Sequence, residues 1–434
     1  MTTPPRAWIL CTGEPLPTDP GVPRLLRAGM LSDHLVQAGF QVDRWASNFH
    51  HTTKTWRSKS TQPVTLAASE TYRIHLLPSS GYHRHVSLAR IRDHWQIGKA
   101  FSAEAPKHPQ PDILIISMPT IDLAYAGARY AAARGIPFIL DLRDLWPEIF
   151  YMDRPAPIRQ LVRLLTAEWS RQLNWALKHA SAVVGITDAF VDWGCARSGR
   201  IRLPGIDLGL PLAYPTAQPP TEAELAEQER LTLTGDLRPD LFQVCFLGSL
   251  SMRMDLETLC KAVAQRNEAS YPPLHLVIAG SGEMLDHLKR NYGGLNIRFL
   301  GRVNQSTLRA VLRTSKVGVV PYKNSVDFQM SIPNKAIEYL AFGLPVLTCL
   351  NGVLADLIRA DGLGSIYEEG ETGTINSILD EYVSSPELVG RTSINASVSF
   401  LEKFSTEVIF KKFKQLILSI LSTEVFTINP RKPT

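Results

Sequence analysis

Read from the N-terminus, the chain alternates short apolar runs with longer segments whose apolar positions recur every three or four residues. Runs of that kind suit strands buried on both faces of a parallel sheet, and the longer segments suit amphipathic helices. The predicted strands of a first series are Trp8–Thr12, Gln41–Trp45, Tyr72–Leu77, Asp112–Met118, Pro137–Asp141 and Ala182–Ile186, with helical patterns such as Pro23–Ala38 and Asp122–Arg134 between them. A second series runs Phe242–Leu247, His275–Ala279, Asn296–Leu300, Val317–Pro321, Pro345–Cys349 and Ser365–Glu368. Between the two lies a Pro- and Glu-rich interval, Pro211–Pro239, whose composition reads as linker. The pattern therefore predicts an α/β protein of two Rossmann-like domains, residues 1–210 and 241–400, joined by a linker over 211–240. In the last segment, 401–434, Val408, Ile409, Phe413, Leu416, Ile417 and Ile420 recur at helical spacing, which predicts a helix packing back on the N-terminal domain, followed by a tail.

Length agrees with that division, since 434 residues exceed what one hydrophobic core organises. With 44% hydrophobic and 20% charged residues, the composition is that of a globular protein with little room for extended disorder. The cysteines Cys11, Cys195, Cys245, Cys260 and Cys349 are scattered, which suggests thiols in a reducing compartment and neither a disulfide framework nor a zinc site. The apolar run Ala7–Cys11 is too short for a signal-peptide core, and no stretch approaches the roughly 18 apolar residues of a membrane span, so a cytoplasmic protein is expected. A net charge of +5 suits an anionic small ligand or acidic lipid headgroups; no nucleic-acid motif accompanies it, and nucleic acid is not an expected partner.

Ligands of doubly wound domains bind outside the carboxyl ends of the strands, where helix N-termini present N–H groups to anions. After the first strand, the loop from Gly13 to Arg24 holds Gly21, which lets backbone approach a phosphate, with Arg24 and Arg27 as charges; a plain turn explains it equally well. After the fifth, Asp141-Leu142-Arg143-Asp144-Leu145-Trp146-Pro147-Glu148 concentrates charge, and Asp144 and Arg143 become candidates for orienting or deprotonating an acceptor hydroxyl, against a purely salt-bridged reading. In the second series, Gly248-Ser249-Leu250-Ser251-Met252-Arg253 places Ser249 and Arg253 where a diphosphate would bind, and Gly280-Ser281-Gly282 and Gly301-Arg302-Val303 repeat the strand-to-helix glycine. The most informative segment runs from Ser331 to Val346: a helix starting near Pro333 leaves Ser331 and Asn334 as donor groups at its start and puts Glu338 a turn further in, where a carboxylate can accept from the two hydroxyls of a ribose.

That segment, Ser331-Ile332-Pro333-Asn334-Lys335-Ala336-Ile337-Glu338-Tyr339 through Gly343 and Pro345-Val346, resembles the family-4 retaining glycosyltransferases, and specifically the bacterial polysaccharide-biosynthesis branch whose helix reads close to S-x-P-N-K-x-x-E-Y-x-x-x-G-x-P-V. The likeness extends to Asp141–Glu148, Gly248–Leu256, Phe299–Val303 and the stretch Trp45-Ala46-Ser47-Asn48-Phe49-His50-His51, so it covers both domains. It implies the GT-B fold, two Rossmann-like domains facing across a cleft, with the nucleotide-sugar donor held mainly by the C-terminal domain and the acceptor by the N-terminal one. It further implies that Glu338 grips the ribose, that Gly301 and Arg302 lie beside the base, and that Arg143 and Asp144 stand where many members carry an active-site histidine. Transfer with retention, a UDP-sugar donor, and a polyprenyl-linked or other oligosaccharide acceptor at the inner membrane face, as in O-antigen or exopolysaccharide synthesis, follow from the same resemblance; no metal or other cofactor is expected, since no DxD pair stands in a strand-end loop and helix N-termini with Arg253 and Lys335 can take a cation's place. Arg-rich Ile158–Lys178 and basic, aromatic His50–Lys59 are candidates for peripheral membrane contact, or equally for solvated surfaces.

Two departures qualify the resemblance. Where many relatives carry a first glutamate eight positions before Glu338, this chain has Met330, and where they carry Arg and Lys after the glycine, it has Ser249 and Asp255; Arg253 and Lys335 are the substitutes. A sugar-nucleotide epimerase of the same fold and a degenerate, non-catalytic scaffold are the rival readings.

Overall fold

The protein is represented by a computed structural model that describes residues 4–21, 23–84, 87–268, 273–294 and 296–422. The tail expected at the C-terminus, 423–434, lies outside the described residues. The chain forms two compact units, Met1–Pro211 with Ile409–Thr434, and Leu212–Val408.

The first unit is built on β1 (Arg6–Leu10), β2 (Gln41–Ser47), β3 (Phe49–His50), β4 (Thr55–Trp56), β5 (Val64–Ala67), β6 (Tyr72–Leu77), β7 (Ile113–Met118), β8 (Phe138–Leu142), β9 (Ala182–Gly185) and β10 (Leu208–Gly209). Eight of these form one sheet in the order β10-β9-β8-β7-β1-β2-β6-β5, parallel except for the β5–β6 edge, while β3 and β4 make a separate hairpin. Every residue of β7 and β8 is buried, which is why those stretches read as unbroken apolar runs. The helices are α1 (Arg27–Gln37), α2 (Leu88–Glu104), α3 (Ile121–Ala133), α4 (Ala156–Leu165), α5 (Ala167–His179) and α6 (Asp188–Ser198). Under α2 and α3, Trp8 packs on Trp45 and Tyr130, with ring centroids 4.8 and 5.2 Å apart.

The second unit contains β11 (Phe242–Leu247), β12 (Leu274–Ala279), β13 (Ile297–Gly301), β14 (Val317–Val320), β15 (Val346–Thr348) and β16 (Gly364–Ile366), all parallel in the order β13-β12-β11-β14-β15-β16. Around it lie α7 (Glu222–Leu233), α8 (Leu256–Glu268), α9 (Leu285–Tyr292), α10 (Gln305–Thr314), α11 (Val326–Gln329), α12 (Asn334–Ala341), α13 (Val353–Asp361), α14 (Thr372–Ser384) and α15 (Pro386–Lys403). Strand order reverses between β11 and β14, the topological switch point at which such sheets open a crevice.

The interval 211–240, read from composition as a linker, is corrected by the structure: most of it folds onto the second unit. Thr221 caps α7 by accepting from the Glu224 N–H, Glu224 pairs with Arg309 at 2.7 Å, and Leu231, Leu237 and Tyr214 join the core beneath α10 and α12. Three well-spaced apolar side chains hold it there, too few to stand out against its prolines and glutamates. At the other end α16 (Thr406–Ser422) buries Ile409, Phe410, Phe413, Leu416, Ile417 and Ile420, all in the first unit, with the Phe413 ring 5.5 Å from the Arg27 guanidinium.

Candidate active site

In the second unit the loops after β11 and β12 meet backbone to backbone. Gly248 and Gly280 have φ of +143° and +153°, and a Cβ on Gly280 would stand 1.7 Å from the Gly248 carbonyl oxygen. Only glycines permit that approach. A Cβ on Gly248 would in turn lie 2.0 Å from Cε of Lys335, so the lysine stem fills the space that a side chain would take.

Helix α12 delivers that lysine. Its position is set by Tyr339, whose ring lies where a Cβ on Gly318 would project, and whose hydroxyl accepts the Leu247 N–H at 3.0 Å and donates to the Val319 carbonyl at 3.3 Å. Four residues earlier, on the same helix face, Lys335 donates to the Tyr322 hydroxyl at 2.9 Å and lies 5.3 Å from the centre of the Phe246 ring. Glu338 follows three residues after Lys335, 4% exposed, with Oε1 accepting from the Tyr214 hydroxyl at 2.9 Å. Lys335 and Glu338 are thus brought together at the switch point, where β11 and β14 diverge.

No side chain caps α12, whose flanking residue is Pro333. Asn334 is exposed at its first position, whereas Ser331 is buried and donates its hydroxyl to the Phe328 carbonyl at 3.1 Å. Met330 is half-buried at the end of α11. Arg253 has a partner that sequence reasoning missed: it donates to both oxygens of Asp327 at 2.7 and 2.8 Å and to Ser325 at 3.1 Å, and it stacks 3.9 Å over Phe328. Its charge is balanced by Asp327 on α11. Ser249 and Arg302 are exposed, and Gly301 sits at φ +67° with open space around it, its carbonyl accepting the Gly280 N–H at 2.7 Å. Tyr214 was equally hidden from sequence, because it lies in the supposed linker and reaches Glu338 by bridging to Ser405.

In the first unit the carboxyl edge holds a buried ion network. Glu14 accepts from the N–H groups of Ala28 and Gly29 at the start of α1, pairs with Arg44 at 3.4 Å and contacts Arg143. Asp141 receives two hydrogen bonds from Arg27, each 3.0 Å, and one from Arg143 at 2.9 Å. Burial alone would raise both carboxyls, but the arginines outweigh it and hold each below the usual range. Arg143 also donates to Ser117 at 2.8 Å, so its guanidinium is turned into this network. Asp144, next in the chain, is exposed. Gly21 is exposed at φ +85° with nothing near its would-be Cβ, and the helix start to which its loop leads is occupied by the chain's own Glu14. Among the described residues, no cluster of three or more His, Cys, Asp or Glu could hold a metal ion.

Two parallel α/β units in tandem, the second with glycine loops, a lysine and a buried glutamate at its switch point, define the class of GT-B sugar-transfer enzymes. Family models agree: a "Glycosyl transferase 4-like domain" matches residues 26–201 and "Glycosyl transferases group 1" matches residues 242–380. The chain belongs to the glycosyltransferases built from these two domains. No curated protein matches it by sequence. Among solved structures it is similar to sucrose-phosphate synthase from Thermosynechococcus elongatus, at 16% identity and a TM-score of 0.72, covering 96% of this chain and 99% of that one. It is also similar to Anabaena HepE in complex with UDP and glucose (13% identity, TM-score 0.63, 95% and 99% covered) and to WaaG, a glycosyltransferase involved in lipopolysaccharide biosynthesis (14%, 0.60, 95% and 99%). These likenesses show the fold, two Rossmann-like domains.

Proposed function

We propose that the protein transfers a sugar, with retention of anomeric configuration, from a UDP-sugar to a lipid-linked oligosaccharide in the assembly of a bacterial surface polysaccharide. The observation that carries this reading is the seating of Lys335 and Glu338 on α12 beside the Gly248–Gly280 contact. Glycosyl transfer builds negative charge on the departing diphosphate, and groups fixed in advance near that charge lower the barrier most. Lys335 and the uncapped start of α12, with Asn334, supply positive potential there without a metal. Glu338, oriented by Tyr214, accepts from the ribose hydroxyls; Gly301 and Arg302 flank the base; Ser249, Ser331 and Arg253 complete the rim.

Retention then follows from attack on the face that the diphosphate leaves, with the leaving phosphate taking the acceptor's proton. In the first unit, exposed Asp144 orients the acceptor hydroxyl, while Arg143 fixes the loop that carries it. The UDP bound in HepE supports the nucleotide, and the lipopolysaccharide role of WaaG supports the acceptor class. No helix among the described residues is long and apolar enough to cross a membrane. A peripheral site at the inner membrane face is supported by α4, which has no buried residue and exposes Ile158, Leu161, Leu164 and Leu165 alongside Arg159 and Arg163.

The test is NMR-followed turnover of UDP-sugars with and without a polyprenyl diphosphate-linked oligosaccharide. A product of retained configuration, formed only with acceptor, is expected; conversion of the donor alone to an epimer would replace transfer with epimerisation.

A further inference from the structure

A second group of cations and aromatic rings gathers in the first unit. The β3–β4 hairpin holds Lys54 at φ +59°, a conformation rare for lysine, and its Nζ is buried with no hydrogen-bond partner. That ammonium lies 4.5 Å from the centre of the Tyr82 ring and 5.9 Å from that of Phe49. From α2, Arg90 approaches the same Tyr82 ring at 5.4 Å and the Trp146 ring at 4.9 Å. His51 hydrogen-bonds the Tyr82 hydroxyl, and His94 lies 3.4 Å from Arg90 Nε. The nearby acid, Asp93, is turned away: it accepts from the Ser79 hydroxyl and from the Gly81 N–H at 2.7 Å.

Two cations sharing one ring repel, and the buried Lys54 ammonium without an acceptor is costly, so an anion entering here would offset both. A point-charge ammonium and a forked guanidinium beside one ring suit a phosphate or diphosphate better than a single carboxylate. The same helix continues the site with a different chemistry. Leu88, Ile91 and Trp95, spaced i, i+3 and i+7 on α2, are 83%, 43% and 56% exposed and form an apolar stripe beside the face that carries Arg90 and His94. A ligand with an anionic head and a hydrocarbon tail matches the two together.

We propose that Lys54 and Arg90 bind the diphosphate of a polyprenyl-linked acceptor and that Leu88, Ile91 and Trp95 receive the first part of its chain. This rests on the reading of the protein as a transferase acting on a lipid-linked acceptor, and it names the part of the acceptor that is recognised.

All eight tryptophans lie in the first unit, Trp146 and Trp95 at the site itself, so their fluorescence reports on it. The full chain is titrated with inorganic pyrophosphate, with geranyl diphosphate, and with vesicles of phosphatidylglycerol. Geranyl diphosphate is expected to bind more tightly than pyrophosphate. Lys54→Gln and Arg90→Gln should each weaken both by tenfold or more, Lys54→Arg should restore much of the loss, and Ile91→Ser should weaken geranyl diphosphate alone. Geranyl diphosphate affinity within twofold of native in both glutamine variants overturns the proposal, as does Lys54-dependent binding to vesicles without any to geranyl diphosphate. UDP binding, followed by calorimetry in the same variants, keeps the two readings apart: it should be unchanged, and its absence from the native protein would count against the transferase reading, not against this site.

Discussion

Replacing Arg143 by glutamine separates two roles for the charged loop after β8. In the structure this guanidinium touches Glu14, Asp141 and Ser117, and the two carboxylates are 7% and 1% exposed. Removing it leaves Glu14 with Arg44 and the α1 N–H groups, and Asp141 with Arg27, so neither carboxylate is stranded, yet each loses a charge-assisted bond. Such bonds are worth about 1.5–3 kcal/mol each, so losing two of them, with the remaining partners still in place, should cost about 3–5 kcal/mol. With a urea dependence of about 2–3 kcal/mol per molar for a unit of this size, the midpoint should fall by about 1–2 M. Tryptophan fluorescence follows the first unit alone, because the second has no tryptophan. A midpoint within 0.3 M of native, roughly 1 kcal/mol, combined with lost turnover, would refute the positioning role and return Arg143 to direct chemistry.

Three further outcomes are expected. Tyr214→Phe removes a hydrogen bond from a buried carboxylate; UDP affinity should fall and the second unit lose about 1.5–3 kcal/mol, read by calorimetry and by circular dichroism in urea. Gly280→Ala forces a Cβ against the Gly248 carbonyl and should destabilise the second unit by about 1–3 kcal/mol with loss of UDP binding, whereas Gly390→Ala, in open space within α15, should stabilise it by about 0.5–1 kcal/mol. Burial, more than any other cause, raises the Asp122 carboxyl to about 6, above its unfolded value, so the stability carried by its protonated form is present at pH 4 and lost as pH rises through 6. Asp122→Asn removes that loss and should stabilise the first unit by on the order of 2 kcal/mol at pH 8 and by little at pH 4, measured as urea midpoints.

The central strands were legible because they are buried on both faces, as in β7, β8 and β12. The predicted Gln41–Trp45 stops two residues short of the end of β2, while Tyr72–Leu77 and Phe242–Leu247 are β6 and β11 residue for residue. The short strands β3, β4, β5 and β10 left no such signature, since two to four residues at an edge carry no period. In the second unit, helix position pointed to Glu338 and the family resemblance pointed to Lys335, and the structure puts both on α12. What sequence could not supply were partners distant in the chain. Asp327 beside Arg253, Tyr214 beside Glu338, and Glu14 between Arg143 and Arg44 become neighbours only once the loops are brought together.

The measurement that bears most directly on the donor site is calorimetric titration of UDP, GDP and dTDP into the native protein and into Glu338→Ala. Binding of UDP, weakened more than tenfold, or about 1.4 kcal/mol, by the substitution is the predicted result; a folded native protein that binds none of the three nucleotides would contradict it.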